Sequence, residues 1–304
     1  MDTIIKIEGL VKTYGSWRID AIDLEVEAGC ITGLVGKNGA GKTTTIKGLL
    51  GLINPDAGRA SILGVPVLDV ENPGKVDSSQ VRSVKQRVGF VPDTCPFLGD
   101  VTVKQVGNTG RFAYPNWNQR RFEELLAGFG LGIDKQVKGL SRGMGMKLSL
   151  AFALAHDPDL LILDEATAGL DPEARQEVLD MLTDFVSTGS RGVLLSSHIT
   201  SDLDKAADRV VCIDGGRIVF DLPKEDICDM AGVVRCRRSE LALLAAKGVQ
   251  AKVLTREFGA DVLVKDRFAF HRDFGEMPVD RTDIETYMSF VMKGADLSEF
   301  EGEA

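Results

Sequence analysis

The spacing of hydrophobic positions changes several times along the chain, and each spacing predicts a different element. Residues 3–35 alternate apolar and polar side chains, which predicts a small antiparallel sheet. Over 101–131, and again from 140 to 154, apolar residues recur three and four positions apart, which predicts helices. Short uninterrupted apolar runs, of which 160–163 is the clearest, predict strands buried on both faces. The pattern as a whole predicts an α/β core.

Two further stretches connect or extend this core. Residues 53–87 are rich in Pro, Gly, Asn and Asp and predict a turn-rich connection, with a surface excursion around 71–79. Residues 208–219 predict a hairpin with a glycine-rich turn. The aromatic residues Phe112, Tyr114 and Trp117 fit either the core of a small helical subdomain or a docking surface for a partner.

After Leu222 the pattern changes to short strands alternating with helices. This predicts two domains, 1–222 and 223–304, the second a small α+β domain. Its last helix is expected to start at a capping box from Thr282 to Glu285. The apolar stripe on that helix prompts the hypothesis that 223–304 adds to an interface with a second copy or a partner. The acidic tail, 296–304, is expected to fray.

Composition narrows the class of protein. Of the 304 residues 44% are hydrophobic and 27% charged, which is ordinary for a soluble globular protein. A net charge of -9, with Lys and Arg scattered, gives no electrostatic footprint for nucleic acid, so no nucleic-acid partner is expected. Five cysteines without C-x-x-C spacing are typical of reduced thiols in the cytoplasm. No apolar run is long enough to span a bilayer, so a membrane function needs another polypeptide.

Residues 36–44 fit the phosphate-loop pattern G-x-x-x-x-G-K-[ST]. Glycines let the backbone turn tightly and aim its N–H groups at one point, next to the start of a helix. Lys42 is expected to reach the β- and γ-phosphates and Thr43 to complete the shell of a Mg²⁺ ion. The alternative is an ordinary glycine-rich turn, but an apolar strand before it and a helical run after it favour the loop. The candidate nucleotide-binding residues are Gly36, Asn38, Gly39, Ala40, Gly41, Lys42, Thr43 and Thr44.

Polar side chains follow two of the buried strands. Asp164 and Glu165 come directly after 160–163, and His198 follows the strand that ends at Ser196 and Ser197. Ligands bind at the carboxyl ends of parallel strands, and adjacent buried acids are costly unless they meet a cation or water. Earlier in the chain, Tyr14 is placed either to stack on a purine base or to pack at a sheet edge.

The order of these motifs resembles the nucleotide-binding subunit of an ATP-binding cassette (ABC) transporter over about 1–222. The resemblance assigns 36–44 to Walker A, Asp164 and Glu165 to Walker B, Leu140 to Met144 to the signature, Ala168 to Asp171 to the D-loop, His198 to the switch histidine and Tyr14 to the adenine-stacking aromatic. It implies a P-loop NTPase core with an N-terminal antiparallel β-subdomain, a helical signature subdomain at about 94–157 and the small C-terminal α+β domain.

The resemblance also implies a role for each matching residue. Asp164 and Thr43 hold Mg²⁺, directly or through water, and Glu165 orients or deprotonates the attacking water. His198 hydrogen-bonds the γ-phosphate of ATP. Two copies sandwich ATP head to tail, so the signature segment binds the nucleotide held by the other copy. The signature residues are Ser141, Arg142, Gly143 and Met144, and the D-loop contributes Asp171.

The chain departs from the family pattern at two places. Asp93 stands where glutamine is usual, and the signature reads Leu-Ser-Arg-Gly-Met instead of L-S-G-G-Q. Asp93 can still reach the Mg²⁺ shell, but its charge is expected to raise the pKa of a neighbouring acid. Arg142 adds positive charge near the partner's nucleotide. An acidic residue at position 93 points to exporters of the ABC-2, multidrug or bacteriocin type.

The leading hypothesis is therefore an ATPase subunit that uses ATP and Mg²⁺ to power export through separate membrane-spanning permease subunits. It places the protein in the cytoplasm, at the inner face of the membrane. The rival is a soluble ABC ATPase without a transport role, but this chain has one phosphate loop and no coiled-coil insertion. A GTP switch protein is disfavoured because no N-K-x-D motif is evident.

Overall fold

A computed structural model describes residues 2–275 and 277–301. The strands are β1 Thr3–Tyr14, β2 Trp17–Glu27, β3 Ile31–Val35, β4 Ala57–Ile62, β5 Val65–Asp69, β6 Val88–Val91, β7 Leu160–Asp164, β8 Gly192–Ser197, β9 Arg209–Asp214, β10 Arg217–Pro223, β11 Gly232–Cys236, β12 Ala251–Arg256, β13 Gly259–Val264, β14 Val279–Arg281 and β15 Ala295–Asp296. The helices are α1 Lys42–Leu49, α2 Ser78–Lys85, α3 Val103–Ala113, α4 Gln119–Gly128, α5 Arg142–Leu154, α6 Pro172–Val186, α7 Thr200–Ala206, α8 Arg238–Ala246, α9 Arg267–Asp273 and α10 Ile284–Lys293.

The central sheet has the strand order β10-β9-β3-β8-β7-β6, and its strands from β9 to β6 run parallel. Strands β3 and β7 are buried at every residue, because helices cover one face of the sheet and α1 with the antiparallel sheet covers the other. The register pairs Val35 with Ser197 and Asp164 with Ser196. The carboxyl ends of β3, β7 and β8 therefore lie side by side, which confirms the predicted α/β core.

The N-terminal residues form the predicted antiparallel sheet, with the order β2-β1-β4-β5. Alternate residues of β1 and β2, such as Ile5 and Leu24, are buried. They pack with Ile46 of α1 in one hydrophobic cluster, so the sheet is fixed against the helix that follows the phosphate loop.

Helices α3, α4 and α5 form a helical subdomain around the buried side chain of Phe122. Trp117 packs on Phe122 and Phe152, and Tyr114 packs edge-on against Phe152. These two aromatics are half-buried and pack against the core of the subdomain. Phe112, in contrast, is 92% exposed, so the surface interpretation survives for that residue alone.

Several elements differ from the sequence-based expectations. Helix α2 lies inside the stretch predicted to be turns, because Asp77 caps it by accepting from the amides of Ser79 and Gln80. Helix α10 is capped by Asp283, one residue later than predicted, and its side chain accepts from Thr286 N. The tail was expected to fray, but residues 297–300 form a turn in which Leu297 is buried. Residues 302–304 of that tail lie outside the described residues.

The C-terminal residues form a third sheet, with the order β14-β11-β13-β12-β15. Helix α8 covers one face through Leu241 and Leu244, and Phe290 of α10 covers the other. The predicted stripe on α10 comprises Ile284, Tyr287, Met288 and Val291. Ile284 and Met288 are buried in the core of the central sheet of the same chain, and Tyr287 packs against that core. Tyr287 and Val291 also line a cavity, so only part of the stripe is covered within the chain.

Within residues 2–275 and 277–301, no helix combines the length and the hydropathy needed to cross a bilayer. All five cysteines lie within these residues, and none is part of a disulfide.

Candidate functional site

Residues 36–41 join β3 to α1 through a backbone path that needs glycine at particular points. A Cβ on Gly36 would lie 2.3 Å from the carbonyl oxygen of Ile213, so no side chain fits there. Gly41 has φ 124° and a Cβ on it would lie 2.8 Å from Ile19 Cγ2. The loop consequently packs directly on β2 and β9. Its remaining residues, Lys37 to Gly39, are exposed, while Ala40 is buried.

Lys42 points back into this loop and is only 5% exposed. Its Nζ donates to the carbonyl oxygens of Gly36 at 2.6 Å and Lys37 at 3.2 Å. The same nitrogen lies 3.0 Å from Glu165 Oε1 at the end of β7. Three protein oxygen atoms thus hold the positive charge at the centre of the loop. The oxygen atoms of a bound oxyanion can replace them.

Asp164 is the last residue of β7 and is 1% exposed. Its Oδ1 accepts a hydrogen bond from Ser196 Oγ at 2.8 Å, across the β7–β8 pair. Burial raises the pKa of Asp164, and the charges of Asp93 and Glu165 raise it further, while hydrogen bonds from Thr43 and Ser196 lower it. Asp93 itself is exposed, two residues after β6. The expected raised pKa of an acid is found, with burial as its largest cause.

Glu165 links the phosphate loop to His198. Its Oε2 lies 2.5 Å from His198 Nδ1 and also accepts from the His198 backbone amide at 3.3 Å. Because an ionised carboxylate only accepts, Nδ1 carries the proton in this pair and Nε2 is left for another partner. Glu165 has φ 54°, a conformation that costs about 1–3 kcal/mol outside glycine and is often found at functional sites.

Tyr14 lies at the exposed end of the β1–β2 hairpin and is 48% exposed. Its ring stacks on Trp17 at 6.2 Å, and Lys12 Nζ lies 5.5 Å from the ring centroid. Two residues after Trp17, Ile19 packs against Gly41 of the phosphate loop. The hairpin is both a sheet edge and a neighbour of the loop, so both interpretations of Tyr14 remain open.

The signature residues lie at the start of α5. Ser141 is the N-cap, and its Oγ accepts from Met144 N at 3.2 Å. The Arg142 side chain lies against the D-loop, where a Cβ on Gly169 would be 3.1 Å from Arg142 Cδ. Ser141, Arg142 and Asp93 line one cavity of 370 Å³. The two departures from the family pattern therefore face the same space.

The D-loop residue Asp171 caps α6, where its side chain accepts from Ala174 N at 2.9 Å. This hydrogen bond is the largest cause of the lowered pKa of Asp171. Within this chain, Asp171 therefore has a structural role.

Two contributors to the site were not predicted as site residues. Ser196 holds Asp164 through its hydroxyl, and its signal is the run of small polar residues that ends β8. Trp17 stacks on Tyr14, and no sequence motif marks it. Both contacts depend on how neighbouring strands pair, which the sequence alone does not predict.

Comparisons with known proteins agree with this geometry. The family model described as "ABC transporter" matches residues 19–168. The Nod factor export ATP-binding protein I of Cupriavidus metallidurans is 34% identical over 235 residues, which are 75% of this chain and 74% of that protein. This chain belongs to the ABC transporter ATP-binding family.

Other members of the ABC family are similar to this chain. The daunorubicin/doxorubicin resistance ATP-binding protein DrrA of Streptomyces peucetius is 37% identical over 223 residues, which are 71% of this chain and 64% of DrrA. The chain thus covers less than two thirds of DrrA. The bacitracin transport ATP-binding protein BcrA of Bacillus licheniformis is 34% identical, over 73% of this chain and 71% of BcrA.

Solved structures show the ABC cassette fold. The structure titled as the ATP-binding subunit of an ABC transporter has a TM-score of 0.64 and 27% identity, and the match covers 74% of this chain and 91% of that one. A dimeric cassette titled as a post-hydrolysis state with ADP and Pi matches in fold, with a TM-score of 0.64, 20% identity, and coverage of 72% of this chain and 98% of that one. The relatives named here are transport, export or resistance proteins, so a soluble ATPase without a transport role is not favoured.

Proposed function

We propose that this chain binds and hydrolyses ATP and thereby powers export through separate membrane-spanning subunits. One observation carries the ATPase part: Lys42, Asp164, Glu165 and His198 converge at the carboxyl ends of three adjacent strands, with Glu165 in contact with both Lys42 and His198. An amine, two carboxyls and an imidazole around a glycine loop are the groups that phosphoryl transfer uses.

Binding of ATP depends first on offsetting the negative charge of its phosphates. The triphosphate of ATP is strongly anionic, and the loop amides together with Lys42 offset that charge. Lys42 exchanges its contacts with Gly36, Lys37 and Glu165 for phosphate oxygens. The residues we propose for nucleotide binding are those of 36–44 and Tyr14, which stacks on the base.

The donor set at Asp164 suits a magnesium ion. The Thr43 hydroxyl and the Asp164 carboxyl are hard oxygen donors in contact with each other, and a carboxyl that is 1% exposed is costly without a cation. Mg²⁺ is usually held by one or two carboxylates together with phosphates and water. A bound Mg²⁺ supplies positive charge for the phosphates at this position. The charge of Asp93 acts on the Asp164 carboxyl, and we place Asp93 in the outer shell of the Mg²⁺ ion.

Hydrolysis needs a base and a sensor beside the γ-phosphate. Once Lys42 and His198 interact with phosphate, Glu165 accepts a proton from the attacking water, whose oxygen forms the new bond to phosphorus as the bond to ADP breaks. His198 Nε2 is the ring nitrogen that the Glu165 contact leaves for the γ-phosphate. The products are ADP and inorganic phosphate.

The transport part is supported by the relatives. We propose that two copies, or this chain and a homologous subunit, close head to tail on ATP, so that Ser141, Arg142, Gly143 and Met144 bind the nucleotide of the other copy and Asp171 lies at the interface. Permease subunits place the protein at the inner face of the membrane. Relatives that carry export or drug resistance in their names support an ABC-2 type exporter.

The test combines catalysis with assembly. The purified chain should release phosphate from ATP in the presence of Mg²⁺ and should stop when EDTA is added. A tagged copy, purified from detergent-solubilised membranes of its own cells, should bring down a polypeptide with several hydrophobic spans that changes the ATPase rate. An active chain that recovers no such polypeptide would overturn the transport part alone.

A further inference from the structure

His198 lies between the end of β8 at Ser197 and the start of α7 at Thr200, so a shift of α7 relative to β8 moves His198. Ile199 N donates to Ser197 Oγ at 2.9 Å, which forms a tight turn around His198. Helix α7 has seven residues, too few to be stable without packing. Leu203 anchors it to the central sheet, since a Cβ on Gly33 would lie 2.8 Å from Leu203 Cδ2. What else holds α7 therefore acts on His198.

The C-terminal domain holds α7 through Asp204. One oxygen of Asp204 accepts from Ile284 N, the first residue of α10, at 3.1 Å and from Cys228 Sγ at 3.7 Å. The first amides of a helix have no acceptor within it, so Asp204 satisfies a donor that α10 leaves open. Ile227 and Ile284, both fully buried, pack in the same cluster as Leu203 of α7.

Helix α10 also faces the phosphate loop across a cavity. Glu285 and Met288 line a cavity of 410 Å³ together with Gly36, Lys37 and His198. On its other side α10 packs on β10 through Tyr287, whose ring meets Phe220 edge-on at 5.3 Å. The C-terminal domain therefore borders the cavity that His198 lines and is also packed on β10.

We infer that Asp204 is a positioning residue, which holds α7, and through it His198, in register with Glu165. The C-terminal domain thereby sets how well the site responds to the γ-phosphate. This inference rests on the proposed role of His198 in ATP hydrolysis. It gives residues 223–304 a function within the chain, which their sequence does not reveal.

A second contact makes the effect separable from folding. Asp202 lies on α7, two residues before Asp204. Its Oδ1 is 3.8 Å from Arg175 Nη1 of α6. Loss of the Asp204 contact leaves this ion pair and the Leu203 anchor in place, so α7 stays folded but shifts relative to Glu165. The expected consequence is a slower chemical step, with the phosphate-loop contacts to ADP unchanged.

The test is a double-mutant cycle of Asp204→Ala and His198→Ala in the full chain, with kcat for ATP and the Kd for ADP as readouts. Asp204→Ala should lower kcat about 3- to 30-fold and change the Kd for ADP less than about 2-fold. In the His198→Ala background it should have no further effect on kcat. Asp204→Asn keeps an oxygen acceptor for Ile284 N and should restore most of the rate.

The control is Asp280→Ala, which breaks an exposed ion pair with Arg235 within the same domain and should leave kcat unchanged. If Asp204→Ala does not fold, Tyr287→Leu, which loosens α10 at Phe220, goes through the same cycle with the same expected coupling. An equal loss of kcat with and without His198 overturns the inference. A wild-type chain without ATPase activity overturns the proposed function instead, and a His198→Ala variant with full kcat overturns the role of His198.

Discussion

The Nζ of Lys42 lies 3.0 Å from Oε1 of Glu165, and this contact joins the phosphate loop to the end of β7. The other oxygen of Glu165 is 2.5 Å from His198 Nδ1. One carboxylate thus occupies two cationic or proton-donating groups that a phosphate also attracts. We expect nucleotide to compete with Glu165 for both, so that the base is released for catalysis only when phosphate has arrived.

Replacing Lys42 tests the loop. Lys42→Ala removes the buried cation bonded to Gly36, and ATP affinity should fall about 10- to 100-fold, since a charge-assisted hydrogen bond contributes about 1.5–3 kcal/mol. Isothermal titration with ATP measures the change. Lys47→Ala, at an exposed position of α1, is the matched control and should bind normally. Unaltered affinity in Lys42→Ala would reject the loop assignment.

Replacing Glu165 tests the base. Glu165→Gln should lower the ATPase rate about 10²- to 10⁴-fold, the range for loss of a general base, while ATP still binds. Bound ATP should then hold two copies together, which size-exclusion chromatography with light scattering detects. Glu177→Gln, which alters an exposed ion pair with Lys147, should keep the wild-type rate. A normal rate in Glu165→Gln would mean that another group activates the water.

The ionised Asp164 carboxylate should lower the free energy of unfolding when no metal ion is bound, because it is buried. Burial raises the pKa of Asp164, so its contribution to stability is greatest at acidic pH and is lost as the pH rises through that pKa. Asp164→Asn should therefore melt higher than wild type at pH 8 without nucleotide, by about 2–4 °C per kcal/mol, and the gap should shrink towards pH 4.

The same variant should lose the dependence of ATP affinity on Mg²⁺. Differential scanning fluorimetry across pH, followed by ATP titration with and without Mg²⁺, gives both readouts. A lower melting temperature at pH 8, or an intact Mg²⁺ dependence, would contradict the assignment.

His156 should make the fold sensitive to acid. It is 1% exposed, stacks on Tyr114 at 3.8 Å, and burial lowers its pKa from 6.5 to about 4. As the pH falls, His156 is protonated in the unfolded chain before it is protonated in the folded protein. The free energy of unfolding should therefore fall between pH 6.5 and about pH 4, by on the order of 3 kcal/mol.

Urea unfolding at pH 7 and pH 4.5 measures this fall. His156→Phe keeps the ring stack and should flatten the profile. His271→Phe, at an exposed position of α9, should not change it. A wild-type slope retained in His156→Phe would show that another buried group is responsible.

The motif residues were readable because phosphate binding needs particular residue types at fixed spacing. The candidate residues Gly36, Gly41 and Lys42 lie in one short loop. Asp164 and Glu165 are neighbours in the sequence at the end of one strand. Helix α6 was not predicted, although its cap, Asp171, is a local signal. Helix α7 has only seven residues, and its burial comes from packing against residues far away in the sequence. Of the apolar stripe on α10, Ile284 and Met288 share a buried cluster with Leu203 of α7 in the same chain.

The sequence by itself determined the family resemblance, the α/β class and a set of candidate residues for phosphate chemistry, because a phosphate loop and fully buried strands each need particular residue types at fixed spacing. Only the tertiary structure decided that Glu165 contacts both Lys42 and His198, that Ser196 supports Asp164, and that the C-terminal domain is fixed to α7 through Asp204. Those relationships arise from strand order, register and packing between residues far apart in the chain, which hydrophobic spacing does not encode.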